Sequence, residues 1–226
     1  MAASDPATRP SLEPVADRLA RKLRDLGGLG RLQPAAQYVA DVLHQAGDVD
    51  KAIYGTIAKV PTPALDHAMR QVSKSANRSL LWLGVAAGLS LTGRPGRRAA
   101  ARGLLSIGVT SAVVNLAVKP LSTRRRPDRV GAGVPGQRQV SMPSSTSFPS
   151  GHSASAFAFA TAVSRDNPWL AIVIQFAAGG VAYSRIHTGV HYPGDTVAGA
   201  LIGAGAGQAV SSIFDRTLAR HRALGD

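Results

Sequence analysis

Apolar positions recur in two different ways along this chain. Up to about Arg78 they are spaced out among charges, and beyond it they run together. Leu12, Val15, Leu19, Leu23 and Leu26 return at steps of three and four, with Arg18, Arg21, Lys22 and Arg24 between them, which is the period of an amphipathic helix. Gly27, Gly28 and Gly30 end it, and Pro34 suits the first turn of a weaker helical stretch reaching about Ala46. Residues 48–59 and 63–77 read as two more short helices, parted by Pro61 and Pro63. After Arg78 come five uncharged apolar runs, over residues 79–93, 103–118, 153–164, 169–183 and 196–214. They lack a polar face and carry scattered Gly and Ala, as close-packed membrane helices do. Arginines bracket them at 94, 97, 98 and 102, at 165, and at 216, 220 and 222, where loops outside the hydrocarbon belong. No strand-period segment and no internal repeat is visible. The pattern predicts an all-α integral membrane bundle of about five spans over residues 79–226, preceded by a basic amphipathic helical arm over 1–78. Several runs are shorter than the roughly 20 residues that cross a bilayer, so buried core helices compete with spans for those segments.

Composition narrows the chemistry. A length of 226 residues suits one domain with a substantial core. Cysteine is absent, which removes disulfides, thiolate metal sites and cysteine nucleophiles from consideration. Twenty-six basic against 13 acidic side chains give a formal charge of +13, and that excess calls for an anionic partner. Aromatics are only 5% of the chain and do not interleave with basic residues, so nucleic acid is not expected and a phosphorylated lipid or metabolite is. The basic arm also suits an anionic bilayer surface, while its leucine face leaves room for a homo-oligomer contact. The first residues have no apolar run after a basic start, so no cleaved secretory signal is expected.

Three polar stretches lie against the apolar runs: residues 119–127 (KPLSTRRRP), 149–152 (PSGH) and 184–195 (SRIHTGVHYPGD). Together they hold what cleavage of a phosphate ester through histidine requires. Lys119, Arg126 and Arg185 form a candidate cationic clamp for phosphate oxygens, Arg by bidentate contact and Lys as a point charge. Arg124, Arg125 and Arg129 fit equally well as a basic loop beside a membrane. Pro149 and Gly151 set a tight turn at the mouth of an apolar helix, where free N–H groups and the helix dipole favour an anion at Ser150 and Gly151. Ser150 also fits an ordinary N-cap. His152 is a lone polar ring on an Ala/Phe helix, and such a ring needs a partner or a task. His191 precedes Asp195 by four residues, a spacing that lets the carboxylate orient the imidazole and leaves the other ring nitrogen free to attack phosphorus. His152 would then protonate the leaving alkoxide and activate the water that releases phosphate. His187 receives no role, because Pro193 and Gly194 interrupt the helix that would align it with His191. No cofactor and no metal is expected.

These stretches match K-x6-R-P, P-S-G-H and S-R-x5-H-x3-D, and on them the chain resembles the type-2 phosphatidic acid phosphatase (lipid phosphate phosphatase) superfamily. The resemblance spans residues 119–195. It implies that Lys119, Arg126, Ser150, Gly151 and Arg185 hold phosphate, that His152 is the general acid, His191 the nucleophile and Asp195 its partner. Many members have six spans, against the five read here. The activity implied is metal-independent dephosphorylation of a membrane lipid phosphate through a phosphohistidine. Arg- and Ala-rich composition points to a GC-rich genome such as an actinobacterium's, which brings in a polyprenyl-linked phosphate such as decaprenylphosphoryl-phosphoribose beside phosphatidate, phosphatidylglycerophosphate and polyprenyl diphosphate. A vanadate-binding haloperoxidase and a non-catalytic basic membrane scaffold are the alternatives. Two spans separate the arm from the Lys119 loop, so both face one side of a multi-pass cell-membrane protein, and a basic arm without an export signal favours the cytoplasm.

Overall fold

The computed structural model describes residues 33–165 and 168–223. The amphipathic repeat of 12–26 lies outside them. The helices expected from Pro34 and over 48–59 are one element, α1 (Gln33–Lys59). Gly47 sits inside it with open space around its Cα, and a single helical glycine costs only about 1 kcal/mol, too little to end a 27-residue helix. The chain divides into two compact units between Val49 and Asp50. The larger unit therefore begins with the last turns of α1.

Pro61 and Pro63 stop α1 and start α2 (Pro63–Ser75). A short turn at Asn77–Ser79 leads into α3 (Leu80–Ser90), and Pro95 opens α4 (Arg94–Ala112). That helix continues through a π-helical stretch, Val113–Val118, into a final tight turn at Lys119–Leu121. A long connection then runs to α5 (Gly151–Val163), followed by α6 (Pro168–His187) and α7 (Pro193–Ala223). All five apolar runs are helical, and the described residues contain no strand.

Three helical segments are long and apolar enough to cross a bilayer: Arg94–Leu121, Trp169–His187 and Pro193–Arg220. Their outer faces expose Leu105, Leu116, Trp169, Val173, Phe176, Leu201 and Ile213, a belt that fits hydrocarbon rather than water. At 13 residues α5 spans about 20 Å and is the buried centre instead. Ala154, Ala156, Ala158, Phe159, Ala160, Ala162 and Val163 are wholly inaccessible. The close approach of α7 to α5 depends on Gly199, Gly203 and Gly207, one helical turn apart. A Cβ at these positions would lie 2.4, 2.1 and 2.6 Å from the carbonyl oxygens of Ser150, Ala154 and Ala158. Gly103 of α4 similarly admits the Phe159 ring, whose far side meets Trp82 of α3 at a centroid distance of 5.2 Å. Small residues thus bring backbones into contact where the bilayer supplies no hydrophobic driving force between helices.

Candidate active site

One end of the bundle gathers the three polar stretches. Lys119 stands at the end of the α4 extension, where the π-helical turns change the direction in which the last side chains leave the helix. Its Nζ lies 3.0 Å from Asn115 Oδ1 and 3.4 Å from Ser145 Oγ. Arg126 donates through Nε to Ser145 O at 2.9 Å and through Nη1 to Val190 O at 2.8 Å. Arg185, in the last turn of α6 and 1% exposed, donates to Ser73 Oγ at 2.6 Å. Its Nε has no partner. An unpaired buried guanidinium N–H is costly, and an anion beside it would satisfy that donor.

Ser150 N-caps α5: its hydroxyl accepts from Ser153 N at 3.4 Å and from Ser153 Oγ at 3.1 Å. Its own N–H donates to Asp195 O at 2.9 Å, which joins the second stretch to the third. The Ser150 hydroxyl proton is left over as a donor. A Cβ at Gly151 would lie 3.7 Å from Lys119 Nζ, so the helix mouth and the lysine face one spot.

Arg126 Nη1 lies 3.1 Å from His191 Nε2. Arginine only donates, so Nε2 carries the lone pair and the ring proton sits on Nδ1. Nδ1 faces Asp195 Oδ2 at 3.5 Å, too long for a formed hydrogen bond and consistent with Nδ1 having no hydrogen-bond partner. The carboxylate is held on every side. Oδ2 accepts from Ser147 Oγ and from Tyr192 N, and Oδ1 accepts from Arg124 at 2.9 Å. Burial drives the His191 pKa down to about 4, and the Arg126 guanidinium pushes the same way against the pull of Asp195. The ring is neutral at pH 7 and keeps its lone pair on Nε2.

His152, at the mouth of α5, lies 3.0 Å through Nε2 from Asn77 Oδ1. Burial, then Arg185, His191, Lys119 and Arg126, push its pKa to about 3. That the charges of all three cations and the second imidazole reach this ring is the electrostatic signature of a shared site. An incoming dianion would reverse the effect and let His152 take up a proton.

Several contributors were not singled out as site residues by the sequence, although Arg124 lies in the first stretch. Arg124 bridges Asp195 and Asp50 and stacks on Tyr192 with its guanidinium carbon 4.5 Å from the ring centre, whereas Arg125 is exposed and Arg129 binds Val140 O. Ser145 and Ser147 come from a run of hydroxyls just before Pro149, a pattern visible in the sequence but common in loops. Asp50, Ser73 and Asn77 come from the stretch read as an arm, and nothing local marks them. His187 is tied at 2.9 Å to Asp66, which also binds Arg138 at 2.7 Å, a buried polar cluster that braces the end of α6. Among the described residues no group of three or more His, Cys, Asp or Glu side chains gathers to hold a metal ion.

A family model described as the PAP2 superfamily matches residues 99–218, a range that contains all eight residues from Lys119 to Asp195 singled out by the sequence. The chain belongs to the PAP2 superfamily. Among PAP2 relatives, decaprenylphosphoryl-5-phosphoribose phosphatase of Mycobacterium tuberculosis (strain H37Rv) is 32% identical over 170 residues, covering 74% of this chain and 90% of that protein. Lipid A 4'-phosphatase of Bacteroides thetaiotaomicron is 41% identical over 76 residues, 32% of this chain and 33% of its own length. In structure the chain is similar to the transmembrane PAP2 type phosphatidylglycerolphosphate phosphatase of Bacillus subtilis, with a TM-score of 0.58 at 21% identity over 89% of this chain and 95% of the other. Aquifex aeolicus LpxE gives a TM-score of 0.58 at 23% identity, covering 70% and 92%. These two likenesses concern the PAP2 fold.

Proposed function

We propose that this protein is a metal-independent lipid phosphate phosphatase working through a phosphohistidine, and that its substrate is a polyprenyl-linked phosphoribose. The carrying observation is the meeting of Lys119, Arg126 and Arg185 with two neutral imidazoles, one of which presents its lone pair to the cation cluster. A phosphate monoester entering the cluster takes Arg126 Nη1 from His191 Nε2 and frees the lone pair. Nε2 then forms a bond to phosphorus as the ester P–O bond breaks, and the alkoxide takes a proton from His152. His152 next removes a proton from water, the water oxygen displaces Nε2, and phosphate leaves. Lys119, Arg126 and Arg185, with the Ser150 hydroxyl and the N–H groups at Gly151, stabilise charge on the equatorial oxygens. Asp195 faces the Nδ1 proton and offsets the positive charge that the ring acquires.

The substrate assignment is supported by the M. tuberculosis relative, which matches over nine-tenths of its own length. Phosphatidate, phosphatidylglycerophosphate and polyprenyl diphosphate complete the panel. Protein in detergent should release phosphate from the phosphoribose lipid in the presence of chelator, with His191→Ala lowering the rate by roughly 10⁴-fold or more. His152→Ala should accumulate an acid-labile phosphoprotein. Activity that survives His191→Ala, or that needs added divalent metal, contradicts the mechanism. We place the site on the cytoplasmic face. The chain has no cysteine, so Val130→Cys on the exposed connection should react with an impermeant thiol reagent in inverted vesicles and not in intact cells.

A further inference from the structure

Beside the anion cluster lies a cavity of about 180 Å³. Lys119, Gly151 and His152 line it in common with the site, and Arg78, Ser79, Ser111, Asn115 and Ser155 add groups that the mechanism above does not use. Asn115 is already engaged with Ser111 and Lys119, and the other four have hydrogen-bonding capacity to spare. The Arg78 guanidinium and the Ser79 and Ser155 hydroxyls have no side-chain partner among the described residues, and Ser111 Oγ only accepts, from Asn115 at 3.2 Å. An exposed guanidinium and three half-buried hydroxyls around one hollow can meet a ligand that brings acceptors.

The backbone there is unusual. Arg78 and Ser79 lie at φ 52° and 58°, successive non-glycine residues in the left-handed region, each costing on the order of 1–2 kcal/mol. The kink carries Asn77 to His152 and Arg78 and Ser79 to the cavity. His152 protonates the leaving oxygen, so the group attached to that oxygen must extend past His152, and this cavity adjoins it. The volume equals roughly six waters, room for a sugar ring.

We propose that the cavity is the leaving-group subsite and that it takes a pentosyl phosphodiester, sugar hydroxyls meeting Ser79, Ser111 and Ser155 and the bridging phosphate pairing with Arg78. The proposal rests on the phosphatase reading and assigns it a headgroup. Guanidinium matches a phosphodiester bidentately, whereas diacylglycerol, the leaving group of phosphatidate, offers that arginine no anion.

The test measures kcat/KM in detergent micelles for a prenylphosphoryl-pentose 5-phosphate and for phosphatidate. Arg78→Asn removes the charge while keeping a residue tolerant of positive φ, and Ser155→Val fills the cavity from α5. Each should lower the pentosyl-to-phosphatidate ratio by roughly tenfold or more, the size of a lost charge-assisted contact, with Arg78→Lys retaining most of it. The wild type alone supplies a second measurement: the pentosyl prenyl phosphodiester lacking the 5-phosphate should inhibit competitively at concentrations where diacylglycerol does not. An unchanged ratio in both variants, or equal inhibition by the two products, overturns the subsite and leaves the phosphatase standing. A wild type that releases phosphate from neither lipid overturns both.

Discussion

Residues 50–79 and the helices that follow hold the same site by opposite means. The later helices meet through absent side chains: Gly199, Gly203 and Gly207 set α7 directly on the carbonyls of α5, and the contact is one of shape. The earlier stretch meets the site through charge. Asp50 reaches Arg124 and Gly194 N, Asp66 reaches Arg138 and His187, Ser73 reaches Arg185, and Asn77 reaches His152. The later half supplies Arg124, His152, Arg185 and His187, and the polar stretch bonds to each of them. Shape specifies where helices lie, but it leaves long polar side chains free to rotate, and directional bonds remove that freedom.

The contrast can be broken at its strongest point first. Gly203→Val should force α5 and α7 apart. It is expected to cost about 3 kcal/mol or more and to lower activity and thermal stability together, read by unfolding in detergent. Asp66→Ala leaves Arg138 buried without its carboxylate, at a cost of about 3–5 kcal/mol. Asp66→Asn should recover part of it, and an intact unfolding midpoint in Asp66→Ala would show that this cluster does not brace the fold. Ser73→Ala and Asp50→Asn separate the two roles more finely. Each should lower kcat about tenfold with little change in stability, because Arg185 and Asp195 keep their positions less well while the helices stay packed. A stability loss matching the activity loss would erase the distinction between the halves.

The smallest effect is a proton. His152 sits near a pKa of 3 and His191 near 4 while the cations around them are unneutralised, so both are uncharged at pH 7. Sulfate, which does not titrate near neutrality, should raise the His152 pKa on binding. Its affinity should therefore rise as pH falls toward the free-ring value of about 3, with net proton uptake seen by calorimetry in buffers of differing ionisation enthalpy. Binding without uptake would mean that His152 remains neutral beside the anion and is not the proton donor.

Hydrophobic pattern alone determined that the five apolar runs between residues 79 and 214 form helices, because a run of Ala, Val and Leu without charges has few other stable states near a bilayer. The three spaced stretches likewise named Lys119, Arg126 and His191, which the fold brings together: Lys119 and Arg126 share Ser145 Oγ, and Arg126 meets His191. What lay beyond reach is equally specific. Whether Gly47 ends a helix depends on the context that outweighs a 1 kcal/mol propensity. That Arg124 rather than Arg125 holds Asp195, and that Asp50, Ser73 and Asn77 serve residues about 75 to 145 positions away, are decided by which side chains the folded backbone brings within 3 Å. Periodicity and local spacing carry no information about such distant meetings, and only tertiary structure makes them.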